Sequence, residues 1–276
     1  MKTLKRLMMT ALLLAVAVAC GPKTPKAPKI LILYYSQTAT TKVVAEAIAT
    51  PLGADIEAIA PVEPYNGTYQ ETIERGRKEL QEKSFPALQP LKADVAAYDV
   101  IFLGFPVWFG TYANPIATLL DEVDFSGKKI VPFCSFGSGG LESCTRDLKA
   151  KLPESEILPG YGVRSARIEA VPDEIDRFLK TSGFLPGDVE PLPDFSEAHP
   201  VSEAETAIFN AAVGDYPMIQ ATAATVVNRP IPGGTEYIFT ALSLPRPGTP
   251  QSNPQEMKIY VTALDGQAPV FTRVSR

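Results

Sequence analysis

From Ile30 onward, short apolar runs alternate with longer stretches whose apolar positions recur at helical spacing. Ile30 to Tyr35 reads as a buried strand, followed by a polar turn and a helical segment through Ile48. Asp55 to Ile59 reads as a second, short strand. Glu71 to Glu82 reads as a strongly charged helix in which Gly76 is the one weak helix former. Val100 to Leu103 is a continuous apolar run, the pattern of a strand covered on both faces of a parallel sheet. A helix opens at Asn114-Pro115, with proline in its first turn, and Lys129 to Ser135 makes the fourth strand. Gly140 to Lys151, Ile157 to Val163 and Pro172 to Lys180 continue as helix, strand and helix. Repeated strand–helix units predict an α/β fold over residues 29–181, a doubly wound five-stranded parallel sheet in the order 2-1-3-4-5.

The pattern then changes. Residues 182–202 carry Pro186, Pro191, Pro193 and Pro200 with Gly183 and Gly187, a density that predicts a protease-sensitive linker without regular structure. Glu203 to Val213 predicts one helix, and Met218 to Asn228, Thr235 to Leu244, Met257 to Leu264 and Pro269 to Val274 predict strands. Residues 203–276 are therefore expected to form a small α+β module, a helix on an antiparallel sheet. At the other end, residues 1–20 begin with Lys2, Lys5 and Arg6 and continue as an apolar run from Leu7 to Ala19, interrupted by Thr10. Such a run falls short of the roughly 20 residues that cross a bilayer but suits the core of a signal peptide. It ends in Ala17-Val18-Ala19-Cys20-Gly21, which resembles a bacterial lipobox. That resemblance implies lipidation at Cys20 and an exported lipoprotein anchored to a membrane of the cell envelope. An ordinary signal peptide cut near the same place is the alternative. Residues 21–28 are too rich in proline to fold and read as a tether.

Charge and composition remove several functions. With 26 Lys and Arg against 31 Asp and Glu, a net charge of −5, the chain lacks the basic footprint of a nucleic-acid binder. Its single histidine, His199, lies in the proline-rich stretch, which excludes a His-rich zinc site and argues against Ser-His-Asp hydrolysis. Three cysteines make no disulfide scaffold. Cys134 and Cys144 could pair in an exported protein, but nothing fixes their separation, and two unrelated thiols is the favoured reading.

The candidate chemistry sits in the turns after three strands. After the first, Ser36-Gln37-Thr38-Ala39-Thr40-Thr41 offers hydroxyls at 36, 38, 40 and 41 and consecutive backbone N–H groups where a helix begins. Together they would cradle an anion such as a phosphate monoester; a plain Ser/Thr helix cap would use the same residues. After the third come Pro106-Val107-Trp108-Phe109-Gly110 and Tyr112, an aromatic-rich loop where a planar ring would stack. After the fourth, Phe136-Gly137-Ser138-Gly139-Gly140 lets backbone amides approach a ligand edge, and lacks the lysine of a P-loop.

The stretch from Ile32 to Ile48, which contains the first of these turns, resembles the FMN-phosphate signature of flavodoxins, with Ala39 where many members have glycine. The other two loops follow in the flavodoxin order, so the resemblance covers about residues 27–182. It implies a noncovalently bound FMN and a role as an electron-transfer protein. Many flavodoxins place a tyrosine in the glycine loop to cover the outer ring face, and here there is none. Either Tyr112 or Trp108 covers the ring, or one face stays open to a quinone or nicotinamide. The alternatives are therefore an FMN-dependent NAD(P)H or quinone reductase, or a non-catalytic lipoprotein that only binds partners, which the intact phosphate loop opposes. The C-terminal module weakly resembles a cystatin-like fold, through Val226-Val227 and Thr235-Glu236-Tyr237-Ile238-Phe239 around a proline- and glycine-rich turn, without the inhibitory Gln-x-Val-x-Gly loop. It is expected to dock a redox partner protein and not to reach the flavin; were it to reach, Tyr216 and Tyr237 would be the first candidates to cover the open ring face.

Overall fold

Alternate residues of β1 (Ile30–Tyr34) serve two different cores: Leu31 and Leu33 pack on one side, Ile32 and Tyr34 on the other. A strand buried on both faces needs parallel neighbours with helices above and below. In the computed structural model, which describes residues 27–214, 216, 219–244 and 254–275, β1 lies between β2 (Asp55–Ala58) and β3 (Val100–Trp108), parallel to both. β3 ends in a hairpin with β4 (Thr111–Tyr112) and pairs along its length with β5 (Lys129–Phe136). β6 (Glu156–Ile157) and β7 (Tyr161–Arg164) both pair with β5 in parallel, one beyond the other. The sheet therefore has the expected order 2-1-3-4-5, its fifth strand in two pieces.

Pro132 explains the break. Ile130 directs its carbonyl to the fifth strand, where it accepts from Leu158 N at 2.9 Å. Two residues on, Pro132 faces the same neighbour with no N–H to donate. There the register slips by one residue, from Ile130 opposite Ile157 to Phe133 opposite Tyr161.

Helices α1 (Thr40–Leu52), α2 (Tyr69–Glu82), α3 (Asn114–Glu122), α4 (Leu141–Lys151) and α5 (Val171–Thr181) alternate with the strands. α1 and α5 bury Val44, Ala45, Ile48, Val171, Ile175 and Leu179 on one face of the sheet. α3 and α4 bury Ile116, Leu119, Cys144 and Leu148 on the other. α2 buries only Gly76 and is fastened by polar contacts instead. Asn114 Nδ2 donates to Gly76 O and to Glu79 Oε2, both at 2.8 Å. Cys134 and Cys144 are free and buried. Burial raises the Cys134 thiol well above its ordinary range and pushes Cys144 up to about 12, so both stay protonated and unreactive.

Beyond α5, residues 183–198 carry no helix or strand, as expected, but the segment is fastened at both ends and closes with a two-residue strand. Phe184 and Leu185 pack on the α1–α5 core. Ser196 N donates to Asn228 O at 2.8 Å, and β8 (His199–Pro200) pairs with β9 (Ala221–Ile231). Proline is admissible here because β8 is an edge strand, with its N–H side free. α6 (Glu203–Val213) packs on an antiparallel sheet in which β10 (Gly234–Ser243), β11 (Glu256–Leu264) and β12 (Val270–Ser275) complete the order β12-β11-β10-β9-β8. Phe209, Phe239, Ile259, Val261 and Phe271 form its core. Among the described residues no helix is long and apolar enough to cross a membrane. The leader, Cys20 and most of the tether lie outside the described residues.

Candidate functional site

The turns after β1, β3 and β5 meet at the carboxyl edge of the sheet around a cleft of about 750 Å³. That edge is where α/β sheets of this kind hold ligands, and the volume is that of a small-molecule site. Gln37, Thr38, Pro106, Val107, Trp108, Phe109, Gly110, Phe136, Gly137, Ser138 and Gly139 all line it. Ser36, Ala39, Thr40, Thr41, Tyr112 and Gly140 do not.

The reasons differ from residue to residue. Ala39 is the residue before α1 and holds the left-handed conformation, φ 65°. With its methyl side chain Ala39 itself cannot cap α1, and the first turn carries no acid. The helix start is left positive next to Gln37 and Thr38, which line the cleft, an arrangement that takes a phosphate. Ser36 Oγ accepts from Lys42 N at 3.2 Å and shapes the turn. The Thr38 and Thr40 hydroxyls lie 3.4 Å apart on the exposed side. Thr41 departs from the expected cradle: it is 1% exposed, and its Oγ1 shares a 2.8 Å hydrogen bond with Ser135 Oγ. It ties α1 to β5 instead of facing a ligand. Gln37 is held from both sides, accepting from Tyr35 Oη and donating to Tyr65 O at 2.7 Å. Burial raises the hydroxyls of Tyr35 and Tyr65, so both remain neutral donors.

The aromatic loop is a hairpin. β3 runs on through Trp108, and Phe109 and Gly110 turn the chain into β4 with φ of 52° and 87°. Two consecutive positive φ values mark the tight turn usually built from Asn-Gly, and a phenylalanine held there is strained. Phe109 stands 42% exposed at the cleft wall, with the Arg77 guanidinium 5.8 Å from its ring centre. Trp108 is half-buried, its ring edge-on to Tyr35 at 5.8 Å and Tyr65 at 5.1 Å. Gly76 permits this packing, since a Cβ on it would stand 3.3 Å from Phe109. Tyr112 packs against Phe105, 6.1 Å between ring centres, and does not line the cleft.

Sequence reasoning missed one wall and took the less favoured view of another contributor. Tyr69, Thr72, Ile73 and Arg77 of α2 line the cleft; a charged helix with a single glycine gave no sign of it beyond Gly76. The other contributor is Tyr216, from the C-terminal module, which corrects the expectation that this module stays away. The glycine loop carries the contact. Val274 N donates to Ser138 O at 2.7 Å, and a Cβ on Gly139 would lie 2.1 Å from Val274 O. The packing of β12 alone thus requires a glycine at 139. Gly140, with φ 128°, gives room to Val107, 2.6 Å from where its Cβ would be.

A family model described as flavodoxin matches residues 29–175. The chain belongs to the flavodoxin family. A flavoprotein of Bacteroides uniformis is 29% identical, covering 55% of this chain and 99% of its own, with a TM-score of 0.49. A flavoprotein of Lactobacillus acidophilus, solved in complex with FMN, is 26% identical over 54% of this chain and 99% of its own, TM-score 0.46. The NAD(P)H dehydrogenase (quinone) of Gluconacetobacter diazotrophicus is 33% identical over 94 residues, 34% of this chain and 46% of that protein. The chain thus spans about half the length of this curated relative. FMN, the flavodoxin cofactor, fits the residues present: an acid-free helix start beside Thr38 for its phosphate, an aromatic hairpin for its ring, and the glycine loop along the cleft.

Proposed function

We propose that this flavodoxin binds FMN in the cleft and transfers electrons at the surface of a bacterial membrane. The observation that carries the FMN reading is the turn through Gln37 and Thr38 into α1, whose first turn carries no acid, beside an aromatic hairpin at the same sheet edge. When bound, FMN supplies reversible electron uptake; the chain supplies position and surroundings. Thr38 and the first N–H groups of α1 hold the phosphate, Gln37 is fixed by two tyrosines beside it, and Phe109 and Trp108 wall off water from the ring. A test is reconstitution of the purified protein with FMN and with riboflavin. Micromolar or tighter binding of FMN, and much weaker binding of riboflavin, is expected; equal affinities would overturn the phosphate assignment.

The match to the quinone dehydrogenase over 94 residues favours a second reading, an FMN-dependent NAD(P)H or quinone reductase. Steady-state oxidation of NADH or NADPH with a soluble quinone separates it from an electron carrier working through a redox partner protein. The membrane tether rests on the lipobox at Cys20. Cys20→Ser should leave an uncleaved precursor or release the protein to the soluble fraction. The cystatin-like reading of residues 203–276 rests on a helix followed by antiparallel strands.

A further inference from the structure

The C-terminal module touches the first domain at one place above all, the glycine loop, through four kinds of contact. Val274 N bonds Ser138 O, as described. Arg164 Nε donates to Gly137 O at 2.9 Å while its Nη1 donates to Phe271 O at 2.8 Å, so one guanidinium bridges the loop and β12. That guanidinium also lies 5.0 Å from the Tyr216 ring centre and 4.3 Å from that of Phe271. Arg273 and Glu142 form an ion pair beside them. Tyr216 packs on Phe271 with 5.7 Å between ring centres. Its hydroxyl sits 3.2 Å from where a Gly137 Cβ would be, and it lines the cleft.

We infer that the C-terminal module is part of the flavin site: by docking β12 on the glycine loop it supplies Tyr216 as the aromatic cover that the loop itself lacks. The inference rests on FMN occupying this cleft. Three features of the chain make sense together on this reading. The glycine loop contains no aromatic after Phe136, which is itself 3% exposed. Gly139 has the one side-chain-free position that lets Val274 come within bonding range of the loop. Arg164, at the end of β7, faces the module where water would otherwise solvate it, and burial lowers its pKa.

The test uses the full chain, with FMN titrated against native protein, Tyr216→Ala and Tyr216→Phe, reading Kd, the visible circular dichroism of bound FMN and its midpoint potential. Loss of one aromatic face should raise Kd about tenfold in Tyr216→Ala, with altered dichroism and potential, whereas Tyr216→Phe should stay near native in all three. Arg273→Gln, outside the cleft, should weaken FMN a few-fold by loosening the dock. If Tyr216→Ala does not fold, Tyr216→Leu keeps the apolar contact with Phe271 and removes the ring. Native binding, dichroism and potential in a folded Ala or Leu variant would overturn the inference and leave the FMN reading standing. Failure of the native chain to take FMN would overturn both.

Discussion

Ala39, Phe109 and Gly139 each hold a position that their neighbours, not their own preferences, dictate. A non-glycine residue in the left-handed region costs roughly 1–2 kcal/mol, while glycine costs roughly 0.5–1 kcal/mol more to order. Ala39→Gly should therefore stabilise the FMN-free protein by about 0.5 kcal/mol in urea unfolding; a clear loss of stability would mean that φ of 65° is not the resting conformation there. Thr41 and Thr38 give a sharper contrast. Thr41→Val leaves Ser135 Oγ without its buried partner and should cost about 1–2 kcal/mol of stability, with the FMN-to-riboflavin affinity ratio unchanged. Thr38→Ala should leave stability alone and lower that ratio. The inward position of Thr41 was legible: Thr41, Val44, Ala45 and Ile48 share helical spacing and one buried face. The motif match suggested four equivalent hydroxyls, and periodicity, which separates them, was the better guide at this residue. Phe109 shows the opposite limit, because its positive φ depends on a turn length that becomes evident only once β3 is known to run through Trp108.

Helices and strands were legible where one face is apolar, since burial enforces the period. They were less so where polar contacts do the fastening. α2 reads as a solvated helix, yet Glu79 binds Asn114, Tyr65 and Arg75 at once and holds the wall of the cleft in place. β8 was hidden by its proline, although the adjacent His199 makes a testable clamp. His199 Nε2 lies 2.9 Å from Glu205 Oε1, joining β8 to α6. Hydrogen bonds from Ser202 and His199 lower Glu205 from 4.5 to about 2, and the bond to Glu205 raises His199 above 6.5. The lowered carboxylate stabilises the fold above pH 4.5, an effect lost as pH falls toward 2. The raised imidazole stabilises it below pH 6.5, an effect lost as pH climbs through its folded value. Thermal unfolding of the module should therefore be latest between about pH 5 and 6. His199→Gln should flatten the alkaline side of that profile and leave the acid side; an unchanged alkaline side would show that the pair contributes nothing.

At the scale of the whole molecule, the parallel order followed from alternating patterns, whereas the docking of one domain on the other did not. Contacts between Gly139 and Val274 join positions far apart in the chain, and a glycine beside a candidate ligand invites the nearer explanation. The segment between the domains is pinned at Phe184 and Leu185 and again from Ser196 to Pro200. Within this segment, limited proteolysis of the native protein should accordingly cut between Pro186 and Asp194; early cleavage at Ser196 to Val201 would contradict the pairing with β9. Because all five strands run the same way, the chain enters β1 at one edge of the sheet and the cleft opens at the other. Lys29 stands at that entrance, its N bonded to Asp99 and its carbonyl accepting from Asp99 N and Val100 N. A lipid at Cys20 would therefore hold the protein by its foot, with the five residues of β1, roughly 17 Å, between the anchored pole and the cleft. On the proposed tethering the attachment is at the pole away from the cleft, so the length of residues 21–28 sets how near to a bilayer the cleft can come.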